Sequence, residues 1–151
     1  MTERTLIIIK PDAIQRHLAG RIITRFESKG FKLVAARFMK ISERLARQHY
    51  AVHKDKPFFE GAVKYLSSGP CCVMIWEADG IIEMARRMIG ATFGYEAQPG
   101  TIRGDFGSSK RYNLIHGSDS PETAREEIKL YFTGEEILDY NFSDAPWISG
   151  E

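Results

Sequence analysis

A chain of 151 residues, 43% of them apolar, holds enough material for one ordinary hydrophobic core and too little for two, so a single domain over residues 1–151 is expected. Its 21 lysines and arginines nearly balance 20 acidic residues, which excludes a global field that would draw the protein onto nucleic acid or an anionic membrane. Positive charge that matters must therefore be local. The longest early apolar run, residues 6–9, is far shorter than a signal-peptide core or a membrane span, and the adjacent Cys71 and Cys72 suit neither a disulfide nor a zinc framework. A soluble protein of the reducing cytoplasm, with no membrane contact, is the expectation.

Residues 5–9 are a compact β-branched run, the mark of a strand covered on both faces. The run stops at Lys10-Pro11-Asp12, where Pro11 suits the first turn of a helix. Ile14, Leu18, Ile22, Ile23 and Phe26 then recur at helical spacing up to a C-cap at Gly30. Partial alternation over residues 31–41 predicts a second strand, and Ser42 is a natural N-cap with Glu43 in the first turn behind it. The helical region that follows breaks near Lys56-Pro57 and resumes through Phe58, Phe59, Ala62, Val63 and Leu66. Ser67-Ser68-Gly69-Pro70 is punctuation, residues 71–76 predict a third buried strand, and Ile81, Met84, Ala85 and Met88 stripe a further helix.

Between Gly90 and Gly117 the periodicity dissolves, and six of the thirteen glycines fall there; long aperiodic loops in small domains are commonly functional. Residues 112–115 predict a short fourth strand that His116 closes. Ser120-Pro121-Glu122 opens a last helix with Ala124, Ile128, Tyr131 and Phe132 along its inner face. The tail from residue 139 has no period, and its aromatic residues imply packing on a surface, its own or a neighbour's. Grouping the paired helical pieces gives an α+β, ferredoxin-like βαββαβ mixed sheet backed by helices on one face, with a glycine-rich insertion before the last strand.

His116 stands where a strand gives way to the helix entry Gly117-Ser118-Asp119-Ser120, and a helix N-terminus offers free backbone N–H groups to an anion. By itself such a histidine could simply be satisfied by local backbone groups. Glu127 adds weight: its spacing from Ala124, Ile128 and Tyr131 sets it at the margin of the buried face, where a carboxylate requires a partner. An imidazole held by a carboxylate at one nitrogen keeps the other as a bare lone pair, which is a nucleophile. Since Glu126 is adjacent and one of the two must face solvent, periodicity leaves both readings of Glu127 open. The stretch Gly100-Thr101-Ile102-Arg103-Gly104-Asp105-Phe106-Gly107 allows close backbone approach to a ligand, and Arg86, Thr92 and Lys10 flank punctuated segments. Phosphoryl transfer asks for such cationic positioning of phosphate oxygens.

Neither a P-loop, a G-x-G-x-x-G fingerprint nor an H-R-D catalytic loop is present. His49 and His53 have the spacing of a zinc-protease helix, but Tyr50 occupies the place of the required glutamate, so that pair reads as incidental.

Taken together, ERT before an apolar run and KPDAIQR, then KGFKLVAARFM, HYAVHKDKPFF, SGPCCVMIWE, PGTIRGDF and NLIHGSDS, the chain closely resembles the nucleoside diphosphate kinases from about Arg4 to Trp147. The resemblance implies a ping-pong reaction in which a nucleoside triphosphate, ATP among others, gives its terminal phosphoryl to His116 and a nucleoside diphosphate collects it. It further implies that Glu127 orients the His116 ring and that Ser118 supports Glu127. Lys10, Tyr50, Arg86, Thr92 and Arg103 match phosphate-binding positions, Phe58 matches the aromatic under the base, and Asn113 matches a residue reaching the ribose and the phosphate end. Mg2+ would arrive on the nucleotide phosphates rather than in a protein cage.

The likeness implies a homohexamer, with a homotetramer as the alternative, and no specific nucleic-acid partner. The chain departs from the common pattern at Phe93-Gly94, where many members carry Asn-Pro, at Lys110-Arg111-Tyr112-Asn113 in place of a Gly-Arg-Asn ending, and at Ala62, where a larger apolar residue is usual. In a regular strand Asn113 and His116 would face opposite sides, so the strand must end or twist between them if both serve one site. The competing reading is a non-catalytic nucleotide- or nucleic-acid-binding oligomer on the same fold, although the RNP word of an RRM is missing.

Overall fold

The computed structural model describes residues 2–150. Strand β1 (Thr2–Ile9) lies inside a four-stranded sheet of order β2-β3-β1-β4, where β2 is Lys32–Lys40, β3 Pro70–Asp79 and β4 Ile115–Gly117. That interior position explains the unbroken apolar run, because residues 6–9 have no exposed surface at all.

The α+β, βαββαβ order is as expected, with two differences. All strand pairings are antiparallel, where a mixed sheet was expected. Each βαβ crossover skips one strand position, and the other unit's strand fills the gap in the opposite direction; order along the chain carries no sign of that interleaving. The helices also cover both faces rather than one. Ile7 and Ile9 pack towards α1 (Pro11–Gln15), α2 (Ala19–Ser28) and α5 (Ile81–Ile89). Leu6 and Ile8 point the other way, to α3 (Glu43–His49), α4 (Phe59–Leu66) and α7 (Pro121–Tyr131). A strand buried on each side needs both layers.

The helix expected from Pro11 to Gly30 is two, α1 and α2, meeting at about His17, which takes a positive φ of 60° while the Leu18 N–H donates to the Ala13 carbonyl at 2.9 Å. Ser42 and Ser120 cap α3 and α7 as expected, accepting from the Leu45 and Thr123 N–H groups. Inside the glycine-rich insertion lie a 3-10 turn (Gly94–Glu96) and a short helix, α6 (Ile102–Phe106), and the chain there is wound so closely that a Cβ on Gly94 or Gly104 would overlap a backbone carbonyl. The tail folds back on its own domain: the Tyr140 hydroxyl donates to the Leu33 carbonyl, and Lys32 Nζ donates to the Tyr140 carbonyl at 2.6 Å. Beyond it, α8 (Ala145–Ser149) rests Ile148 on Gly30 and leaves Trp147 92% exposed. Among the described residues no helix is long and apolar enough to cross a membrane.

Strand β4 begins at Ile115, three positions later than the sequence suggested, and His116 sits in its middle rather than at its end. Leu114 explains the offset: its φ of 70° lies in the left-handed region, so Asn113 is outside the ladder. The expected break between Asn113 and His116 is this one.

Candidate active site

His116 pairs across the ladder with Ile8, so its ring leaves the sheet on the face covered by α3, α4 and α7. Glu127, on α7, meets it there. Its Oε1 lies 2.9 Å from His116 Nε2 and also accepts the Ser118 hydroxyl at 2.6 Å. The same Ser118 Oγ accepts the Leu6 N–H at 3.2 Å, which ties the carboxylate to the central strand. Glu127 is buried while its neighbour Glu126 faces solvent, which decides the question periodicity left open. A carboxylate only accepts, so Nε2 carries the ring proton and Nδ1 keeps a lone pair. Among the described residues no side chain or backbone group bonds Nδ1, and the ring borders an open cleft of about 620 Å³.

That cleft gathers the other expected residues. Lys10, Tyr50, Phe58, Arg86, Thr92, Arg103 and Asn113 all line it, and Lys110 and Arg111 join them. Five cationic side chains and no carboxylate line it, so a molecule of net charge +1 carries a locally positive cleft. Lys10 follows directly on β1 and is almost fully buried; its Nζ donates to Asn113 Oδ1 at 2.9 Å and lies 4.9 Å above the Tyr65 ring. Burial, reinforced by the Arg103 guanidinium, brings the Lys10 ammonium down from 10.5 to about 7. Arg103 spends its donors on backbone, giving Nε to the Asn113 carbonyl at 3.0 Å and Nη2 to the Ile115 carbonyl at 2.7 Å. Its burial, with Arg86 beside it, lowers it to about 10. Arg86 Nη1 reaches the Gly117 carbonyl at 3.3 Å, and the Thr92 carbonyl accepts from Asn113 Nδ2 at 3.3 Å. Burial, then the Glu127 charge, holds the Tyr50 hydroxyl up at about 12, so it stays a donor. Phe58 stands at the mouth, 54% exposed, with the His53 ring 5.4 Å away.

His49, incidental by its spacing to His53, has a definite place in the structure. The inner face of α3 turns it edge-on to His116 with ring centroids 4.5 Å apart, and its Nδ1 lies 3.0 Å from the Tyr131 hydroxyl. Burial, with His116 and Lys10 adding to it, lowers it to about 2, so it is neutral and does not compete with His116 for the Glu127 charge. The spacing to Ala46 was the available signal, since the two share the buried stripe of α3. Ligand atoms of His49, His116 and Glu127 fall within 4.8 Å of one another, but Glu127 Oε1 is already committed to His116 and Ser118. The loop departures also have definite places. Phe93 stacks on Tyr95 with centroids 5.8 Å apart, Tyr112 packs edge-on to Tyr65 at 5.0 Å, and Ser109 Oγ accepts the Arg111 and Tyr112 N–H groups.

A sequence profile described as nucleoside diphosphate kinase matches residues 3–137. The nucleoside diphosphate kinase of Trichormus variabilis is 53% identical over 97% of this chain and 98% of its own length. Among solved structures, the halophilic nucleoside diphosphate kinase from Halobacterium salinarum in complex with CDP superposes with a TM-score of 0.95 at 45% identity, covering 98% of this chain and 99% of that one. A transition state mimic of the Borrelia burgdorferi enzyme with bound vanadate and ADP gives 0.92 at 34% identity, over 97% and 96% of the two chains.

Proposed function

The chain belongs to the nucleoside diphosphate kinase family, and from that premise we propose that His116 Nδ1 carries the phosphoryl group between a nucleoside triphosphate and a nucleoside diphosphate. The activity is phosphotransfer between nucleotides, in two half-reactions through a phosphohistidine. The observation that carries the assignment to His116 is a ring that borders the cationic cleft, with Nε2 held by Glu127 and Nδ1 without a hydrogen-bond partner among the described residues.

In the first half-reaction Nδ1 attacks the terminal phosphorus in line. The new bond is N–P, the bond that breaks joins phosphorus to the bridging oxygen, and the electron pair leaves on the nucleoside diphosphate. The ring becomes cationic as it is phosphorylated, and the Glu127 carboxylate at Nε2 stabilises that charge. Lys10, Arg86 and Arg103, with the hydroxyls of Tyr50 and Thr92, meet the phosphate oxygens. Asn113 reaches the ribose and phosphate end and fixes Lys10. In the second half-reaction a terminal oxygen of another diphosphate attacks the same phosphorus, and His116 leaves with its lone pair restored.

The base stacks on Phe58, and stacking discriminates poorly among bases, so the nucleotide range is broad. A cationic, carboxylate-free lining suits phosphates that bring their own metal: Mg2+ would be held by the nucleotide rather than by side chains of this cleft and would supply charge neutralisation there. For assembly we favour a homohexamer over a homotetramer. The outer strand β2 leaves Phe38 67% exposed, and Trp147 stands free at the tail, two apolar surfaces that further copies would cover. Mass in solution separates six subunits from four.

The assignment is tested by incubating the protein with triphosphate labelled at its terminal phosphorus. Acid-labile, base-stable label is expected on the parent and none on His116→Ala. Label retained by that variant would remove His116 from the reaction.

A further inference from the structure

Tyr65 on α4 and Asp12 on α1 meet beside the Lys10–Asn113 contact. The Tyr65 hydroxyl donates to Asp12 Oδ1 at 2.5 Å and accepts the N–H groups of Asn113 at 3.1 Å and Leu114 at 3.2 Å. Asp12 Oδ2 takes the Leu114 N–H as well, at 3.2 Å. On the other side of the same residue, the Leu114 carbonyl accepts the Lys10 N–H at 2.8 Å. Every polar backbone atom of Leu114 is thus occupied, and its side chain is buried in the core.

This investment falls on a residue with φ of 70°, a conformation that an L side chain with a branched chain avoids unless its surroundings impose it. The left-handed step lets Asn113 and His116 border one cleft. Without it, a continuous strand would send the two side chains to opposite faces.

We propose that Asp12 and Tyr65 are positioning residues for phosphoryl transfer. By gripping the Asn113 and Leu114 amides they impose the turn that aims the Asn113 amide at Lys10 and lets β4 present the His116 ring to Glu127. Their placement supports this. Asp12 is two residues beyond Lys10 on α1, and the Tyr65 ring carries the Lys10 ammonium on its face, so one pair of side chains braces both ends of the Lys10–Asn113 contact. Burial and the Asp12 charge push the Tyr65 hydroxyl well above its usual range, which keeps it a donor to Asp12 at every working pH. The inference rests on the reading of this cleft as the nucleotide phosphate site.

Tyr65→Phe keeps the ring under Lys10 and removes only the hydroxyl. Asp12→Asn keeps the shape and an acceptor, and Asp12→Ala removes both. The readout is single-turnover phosphorylation of His116 by rapid quench, in the full-length protein, with far-UV circular dichroism to establish that each variant is folded. Tyr65→Phe should phosphorylate about tenfold more slowly, as expected when a buried N–H loses its acceptor at a site that orders the reactants. Because part of the effect passes through the Asn113 side chain, adding Tyr65→Phe to Asn113→Ala should slow that variant by clearly less than the roughly tenfold expected on the parent. Asp12→Asn should recover most of the rate lost in Asp12→Ala. Parental rate in Tyr65→Phe, fully multiplicative effects in the double variant, or equal rates for Asp12→Asn and Asp12→Ala would each overturn the proposal. Failure of the underlying reading is separately visible, as label retained by His116→Ala.

Discussion

Lys10 is a buried amine that lines the cationic cleft, and replacing it by methionine separates its proposed part in catalysis from its burden on the fold. Burial and Arg103 bring the ammonium from 10.5 to about 7, whereas in the unfolded chain it keeps its ordinary value. Between those two values the unfolded chain holds a proton that the folded chain has released, so rising pH favours folding there. The penalty on the folded state is therefore complete below about pH 7 and gone above about pH 10.5. At about 1.36 kcal/mol per pH unit this span amounts to about 5 kcal/mol. Lys10→Met keeps the length of the side chain and removes the charge; the lost bond to Asn113 offsets about 1 kcal/mol, leaving the variant more stable by about 4 kcal/mol at low pH. Urea unfolding of both proteins from pH 6 to 10 measures the gap, which should narrow steadily as pH rises. Transfer should meanwhile fall by about 100-fold or more, since an electrostatic contact made in the transition state is lost. A variant no more stable than its parent at pH 6, or a gap that does not change with pH, would refute the account of Lys10.

Glu127→Gln keeps a hydrogen-bond acceptor for His116 but removes the charge, and single-turnover phosphorylation should slow by roughly 100-fold, with no slowing counting against the carboxylate's role. Ser118→Ala strips an acceptor from the buried Leu6 N–H and a donor from Glu127, so denaturant unfolding should show a loss of about 1–3 kcal/mol. Phe58→Ala should raise KM about tenfold for purine and pyrimidine nucleotides alike while kcat changes little, because its exposed ring contributes stacking alone; steady-state kinetics with several nucleotides checks this.

The site was legible to different depths at different residues. His116 and Lys10 stand at the ends of periodic segments, where sequence marks a change of backbone direction, and Arg103 stands in a glycine-rich stretch that allows close backbone approach. Glu127 was half legible: spacing brought it to the edge of a buried face, but only the His116 ring beyond that edge selects Glu127 over Glu126. His49 is overlooked when its spacing to His53 is compared with a metal motif alone, because its burial follows from its spacing to Ala46. Tyr65 and Asp12 were invisible as a pair, since one lies on α4 and the other on α1, and their common target is the backbone of a third segment.

The fold divides in the same way. Strand and helix identities, the capping serines and the fully buried central strand are written in local chemistry: apolar periodicity, β-branching, and the side-chain oxygens that satisfy a helix's first N–H groups. The antiparallel interleaving of the sheet, the helices on its second face, the turn at Leu114 and the direction of each ring in the cleft were decided only by tertiary structure. Those features depend on which distant groups compete for the same backbone amides and the same buried volume, and no local pattern records the outcome of that competition.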